Sequence, residues 1–395
     1  MSSPNNLSES SSRPRAAVIF DCFFPVNTGG GERLYRRLAE ILAERGYAVD
    51  YITRDQDGLA THVVGFTVLP IWRGSIYDTG GNRTLRGALS FSGAILKTLR
   101  KSKGQYEFVV VSATPVLNLF AARAALMGSR THIVADWLEV WPLRKWREYS
   151  GTLVGGVAFA LQSIGLGLGH TLTAASSFTA AKISTYRRTA RPVVLGLIDL
   201  IPDASVSGLN QTSEPEAPFA LFVGRHIADK QLETLPDAVE YARRTIPGLT
   251  LKIVGTGPET STVRDAAVTR GQQDFVSFEG RVPDEELMSL MARASVLVNP
   301  SRREGFGLVI AEAAACGTPS VVVASKDNAA VELIDEGING FVAASTEASD
   351  LGLTIQEAIL GGIALRTSTR RWFESARTTK GMSASVDVLL ERLNS

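Results

Sequence analysis

Glu304 and Glu312 stand eight residues apart, on either side of Gly305-Phe306-Gly307-Leu308. An apolar run ends at Asn299-Pro300 just upstream, and downstream the spacing predicts a helix from about Gly307 to Cys316, capped by Gly317. One glutamate then lies in the loop and the other about a turn inside the helix. Glycines at 305 and 307 admit a ligand close to the backbone. The unpaired N–H groups of a helix start suit a phosphate, and a carboxylate beside them can accept hydrogen bonds from sugar hydroxyls. Two glutamates at this spacing mean little alone. The strand, the glycines and the helix around them make the pattern specific.

A second apolar run, Phe222-Val223-Gly224, delivers Arg225 to the carboxyl edge of a parallel sheet, where ligands of such sheets bind. With Lys230 it can offset the charge on a departing diphosphate, an electrostatic role of large effect in group transfer. The bland alternative is two solvated surface cations. A third candidate is Gly29-Gly30-Gly31-Glu32, a glycine turn opening a helix, which either lets a phosphate approach or merely turns tightly.

Weaker signals have plainer explanations. Gly255-Thr256-Gly257-Pro258 follows a strand but lacks the third glycine of a dinucleotide loop. Asp55-Gln56-Asp57 has the spacing of an acidic metal-binding triplet, and a polar loop explains it equally well. Trp137, Trp141 and Trp146 interleave with Glu139, Arg144, Lys145 and Arg147. A solvated face with partly buried tryptophans is the default reading; an acceptor groove or a surface resting on anionic lipid is the sharper one.

The elements that must hold these residues alternate between short apolar runs and amphipathic segments, the pattern of α/β units with parallel sheets. Strands are expected at 16–20, 49–53, 108–111, 132–135, 171–174, 219–224, 251–254, 275–278, 296–298 and 320–323. A helix from Glu32 to Arg45 carries Leu34, Leu38, Ile41 and Leu42 on one face. The expected organisation is a disordered tail over 1–15, a first α/β domain over 16–200, a linker over 201–217, a second α/β domain over 218–365 and helices over 366–395.

Bulk properties exclude several classes. Of 395 residues, 45% are hydrophobic and 21% charged, with a net charge of +1, so nothing marks a nucleic-acid binder. Cys22 and Cys316 cannot form a disulfide framework or a cysteine zinc site, and the four histidines show no ligand spacing. The Ser/Asn-rich N-terminus lacks the apolar core of a signal peptide, which makes the sequon at Asn210 idle and the expected location cytoplasmic. From Tyr149 to Ala181 there is no charged residue. Glycines, Gln162 and His170 interrupt the stretch, so a buried helix followed by a core strand is expected, with membrane insertion or surface docking at the inner membrane face as the alternatives.

Taken together the segments resemble retaining glycosyltransferases of family 4, of the group 1 type, with the GT-B fold. The resemblance rests on Gly29 to Glu32, Val223-Gly224-Arg225 with Lys230, Val254 to Pro258, Phe278 to Val282, Glu304 to Glu312 and Ala315 to Pro319. It implies two facing Rossmann-like domains with the active site in the cleft, an N-terminal acceptor domain over 16–200 and a C-terminal nucleotide-sugar domain over 218–365, with the helices over 366–395 packing back towards the first, and a nucleotide-diphosphate sugar, UDP- or GDP-linked, as co-substrate. The acceptor would be a glycan, a lipid-linked molecule or a small molecule, with no cofactor, no metal and no nucleic acid. By the resemblance, Arg225 and Lys230 bind the diphosphate and Glu312 the ribose. Glu304 and the backbone of Gly305, Phe306, Gly307 and Leu308 hold the sugar, Val282 lies against the base, and Gly30 and Gly31 close over the phosphates. Relatives carry a histidine where this chain has Ala135, so Asp136 and Glu139 become candidates for contact with the sugar or acceptor. A sugar-nucleotide epimerase or a non-catalytic sugar-nucleotide binder are the alternatives.

Overall fold

The computed structural model describes residues 13–27, 29–76, 83–200 and 217–395. The expected tail over 1–15, apart from its last three residues, the linker over 201–217, apart from Ala217, and Asn210 lie outside the described residues. The chain forms two compact units: Met1–Ala174 with Ile183–Val193 and Val386–Ser395, and Ala175–Lys182 with Val194–Ser385. The first boundary therefore falls before residue 200. Of the C-terminal helical segment, only the last ten residues join the first unit; 366–385 stay with the second.

In the first unit, β1 (Arg15–Ile19) pairs in parallel with both β2 (Ala48–Asp55) and β5 (Phe108–Ser112). The sheet continues outward through β6 (His132–Trp137), β7 (Thr171–Ala174) and β8 (Val193–Val194) on one side. On the other side lie β4 (Phe66–Arg73) and the short antiparallel β3 (His62–Val63). Every residue of β5 and β7 is buried, as both-face-covered parallel strands require. Helix α1 (Gly30–Glu44) buries Leu34, Leu38, Ile41 and Leu42, the stripe that its spacing predicts. Strand β4 escaped sequence analysis because Pro70 sits in its middle. The ladder absorbs it with a bulge: Thr53 faces Pro70 but Arg54 faces Trp72.

The charge-free stretch departs from expectation. Its strand β7 is buried, but the helix α5 (Thr152–Gly165) is not: it buries only Gly155, Gln162 and Gly165 and turns its large apolar side chains outward. The preceding α4 (Leu143–Ser150) buries no residue at all. Among the described residues, no helix is long and apolar enough to cross a membrane.

The second unit is built on β9 (Phe219–Val223), β10 (Thr250–Val254), β11 (Val276–Gly280), β12 (Val296–Asn299), β14 (Ser320–Val323) and β16 (Gly340–Ala343), in the sheet order β11-β10-β9-β12-β14-β16. All its pairings are parallel. Side chains alternate between the faces. Phe219, Leu221, Leu297 and Val322 join one core with α9 (Asp284–Arg293), α10 (Leu308–Ala315) and α12 (Gly362–Thr379). Ala220, Phe222, Val296, Val298 and Val321 join the other with α7 (Leu235–Ala242) and α11 (Ala348–Leu360). A separate two-stranded ladder, β13 (Arg303–Glu304) with β15 (Asp327–Asn328), carries Glu304 beyond the end of the main sheet.

Candidate functional site

Strand β12 ends at Asn299, and the chain turns at once because Asn299 folds back on itself. Its Oδ1 accepts from the Ser301 backbone N–H at 3.1 Å, and the Ser301 hydroxyl bonds the same oxygen. Three polar groups then meet a single atom. Asn299 Nδ2 donates to Glu304 Oε1 at 3.1 Å, Ser301 Oγ lies 3.1 Å from it with its one proton shared with Asn299 Oδ1, and Lys230 Nζ forms an ion pair with the same oxygen. The pair is largely sheltered, with Lys230 19% and Glu304 13% exposed. Among the described residues, every bond to this carboxylate goes to Oε1, which leaves Oε2 to accept from a ligand.

Lys230 reaches this point because the chain leaving β9 is pinned. Gly224 N–H donates to Val254 O and His226 N–H to Thr256 O, both at 3.1 Å, and Glu259 N–H donates to His226 O at 3.0 Å. The backbone from Val254 to Glu259 thus braces residues 224–226 through Val254 O, Thr256 O and Glu259 N–H. Burial lowers the His226 imidazole below its usual range; its Nδ1 meets Thr260 Oγ1 at 2.7 Å. Arg225, between the two braced residues, is exposed. Next to Lys230, Asp229 accepts from Arg302 at 2.8 Å and lies 3.8 Å from Arg303, tying the lysine loop to the glutamate loop.

Helix α10 begins after Gly307, whose φ of +95° disfavours other residues. A Cβ there would also come within 2.7 Å of Ala330 Cβ. Phe306, Val309, Val223 and Val282 are half-buried against the core that α10 joins. Glu312 lies on α10 and is half-buried. One turn on, Cys316 is wholly buried, and burial first, then the nearby Glu312 charge, push its thiol up to about 12.

The structure therefore brings Lys230 and Glu304 into direct contact and places Arg225, Val282, Gly305 to Leu308 and Glu312 in the same unit. Gly30 and Gly31 open α1 in the other unit. Sequence analysis missed Asn299 and Ser301, although Asn-Pro-Ser after a strand is a recognisable turn signal. It also missed Asn328, which donates to Ser301 O at 3.1 Å and Val323 O at 3.0 Å.

Asp136 requires a correction. It is fully buried, with Tyr35 donating to one oxygen and Thr173 to the other, each at 2.5 Å. Burial raises its carboxyl above the ordinary range against the pull of those two bonds. It braces β6 within the core and cannot touch a sugar. Glu139 is half-exposed and accepts from Trp141 Nε1 at 2.6 Å.

Residues 210–378 match the family model of glycosyl transferases, group 1. A GDP-mannose-dependent alpha-(1-6)-phosphatidylinositol monomannoside mannosyltransferase of Mycolicibacterium smegmatis is 29% identical over 181 residues, covering 43% of this chain and 47% of that one. A glycogen synthase of Mycobacterium tuberculosis is 34% identical over 139 residues, covering 35% and 33%. The chain thus spans less than half the length of these curated relatives. Among solved structures, the sucrose-phosphate synthase of Thermosynechococcus elongatus superposes with a TM-score of 0.75 at 20% identity, over 96% of this chain and 99% of that one. Alr3699/HepE of Anabaena, solved with UDP and glucose, gives 0.67 at 18%, over 97% and 100%. The likeness runs over nearly the whole chain, and the two α/β units have the GT-B fold.

Proposed function

We propose that this chain is a glycosyltransferase that moves a sugar from a nucleoside-diphosphate sugar to a hydroxyl acceptor, with retention of configuration and without a metal. The observation that carries this reading is the convergence of Lys230, Asn299 and Ser301 on one oxygen of Glu304. It fixes a carboxylate beside the start of α10 with its second oxygen left for a hydroxyl-rich ligand. The match of residues 210–378 to group 1 glycosyl transferases supports the same class. Relatives named for GDP-mannose and a neighbour solved with UDP leave both bases open.

In this reading Glu304 Oε2 and the backbone of Gly305 to Leu308 hold the donor sugar, and Glu312 holds the ribose. Val282 lies against the base. Lys230 shares its charge between Glu304 and the diphosphate, and Arg225 adds a second cation. The bond from the anomeric carbon to the phosphate oxygen breaks while the acceptor oxygen bonds the same carbon on the same face. The acceptor proton passes to the leaving diphosphate, so no side chain need act as nucleophile.

The test is thermal stabilisation by a panel of nucleoside diphosphates in the absence of divalent metal, repeated with Glu312→Ala. A ligand at 100-fold its dissociation constant stabilises by about 2.7 kcal/mol. One diphosphate should raise the midpoint, and Glu312→Ala should abolish the response. Absence of any response, or an absolute need for a metal, would sink the donor site.

A further inference from the structure

Helix α5 is turned inside out. A helix on a water-soluble surface buries its apolar stripe and exposes its polar one. Here the inward face carries Gly155, Gln162 and Gly165, while Leu153 is 85%, Val154 64%, Val157 62% and Ile164 55% exposed. Leu153, Val157 and Ile164 follow at intervals of four and seven, so they stand in one outward row. The orientation is held by specific contacts. The Gln162 side chain accepts from the Trp141 backbone N–H at 3.0 Å and from Trp146 Nε1 at 3.1 Å, and donates to Trp141 O at 2.8 Å. Gly155 lies against α4 so closely that a Cβ would come within 2.4 Å of Trp146 O. Rotating α5 to hide its leucine and valines would bury no equivalent partners for Gln162 and would clash at Gly155. The apolar face is fixed outward.

Charge is distributed around that face in one sense. From Glu139 to Arg191 the residues of the first unit carry six Lys and Arg against two acidic residues, Glu139 and Glu148, a surplus of four in a chain whose net charge is +1. The exposed Arg147 lies at the end of α4, just before α5 begins. At the other end, Arg187 donates to Leu166 O at 2.8 Å, and Tyr186 packs edge-on against Phe159, which brings exposed Arg188 and Arg191 to that side. An uncharged apolar helix with basic residues at both ends matches an anionic bilayer, where apolar side chains enter the acyl boundary and the cations meet the headgroups.

We propose that the α4–α5 face of the first unit docks on an anionic lipid surface, with Leu153, Val157 and Ile164 entering the interface and Arg147 and Arg188 contacting the headgroups. It stands independently of the transferase reading. The experiment is cosedimentation of the full chain with vesicles of phosphatidylcholine alone and with phosphatidylglycerol added, together with light scattering to define the oligomeric state. The wild type should bind the anionic vesicles and release as salt rises. The triple variant Leu153→Ser, Val157→Ser, Ile164→Ser should lose at least about tenfold in partition. Arg147→Glu should weaken anionic binding by about fivefold per unit of charge and leave phosphatidylcholine binding unchanged. Both variants change exposed side chains, and an unaltered melting midpoint would show that the fold is kept. Failure of the wild type to bind anionic vesicles, or equal binding by both variants, overturns the proposal. So does a wild-type dimer that the triple variant converts to monomer, because the face would then belong to a second copy.

Discussion

Each unit ends an inner parallel strand near an acidic side chain, Asp136 at the end of β6 and Glu304 just past β12, and the two acids are held in opposite ways. Asp136 has both oxygens occupied, by Tyr35 and Thr173, and no exposure. Glu304 has three partners crowded onto one oxygen and the other left over. A saturated carboxylate is structural, because a ligand would have to displace bonds that the core needs. A half-used one is already oriented, and in the proposed reading it binds the sugar. An acid at the carboxyl edge of a sheet is therefore no evidence of function until its second oxygen is accounted for.

The largest effect should come from the saturated acid. Asp136→Ala leaves two buried hydroxyls without their acceptor, at about 1–3 kcal/mol each, so chemical denaturation should show a loss of roughly 2–6 kcal/mol. Titration sharpens the point. Burial raises the Asp136 carboxyl from its ordinary 3.8, so between that value and the raised one the folded chain holds a proton that the unfolded chain has released. This group's contribution is fully present below 3.8 and is lost as pH rises through the folded value. The gap in stability between wild type and Asp136→Asn should accordingly narrow with rising pH across that window. A gap that widens instead would mean that the Tyr35 and Thr173 bonds outweigh burial.

Glu304→Gln should do the reverse. We expect turnover to fall by about 10²–10³ with the nucleotide sugar whose diphosphate stabilises the protein, while the melting midpoint moves by less than about 2 °C. A large fall in midpoint with intact turnover would make Glu304 another brace and remove the contrast.

The same contrast explains what could be read in the sequence. Glu304 takes two of its three partners from within five residues, so its setting is local and leaves a motif. The partners of Asp136 come from 101 residues upstream and 37 downstream. No spacing rule reaches them, and Asp136 looked like a candidate for substrate contact only because a histidine was missing beside it. Most strands were legible because buried parallel strands are continuous apolar runs; β4 was not, because Pro70 needed a bulge that only the partner strand reveals. The inverted face of α5 was hidden for a related reason. Composition marks a helix as apolar, but which side faces in depends on Gln162 and Gly155 meeting α4.

A third acid sets the lower limit of the series. Asp57 belongs to the triplet Asp55-Gln56-Asp57, whose spacing suggests a metal site. Its side chain is 94% exposed and pairs with Arg73 at 2.5 Å, with Asp55 3.9 Å from the same guanidinium. Both carboxylates thus turn towards one cation of the chain. Gln56 accepts from Arg54 at 2.7 Å, which draws the middle residue of the triplet away from any shared centre. An exposed pair of this kind is worth little, since water and salt compete for both ends. Asp57→Ala should change stability by less than about 0.5 kcal/mol, leave turnover unaltered, and behave like wild type when the melting midpoint is followed against added Mn²⁺. A Mn²⁺-dependent rise in the wild type that the variant loses would turn this loop into a cation site. Exposure would then no longer separate an idle acid from a working one.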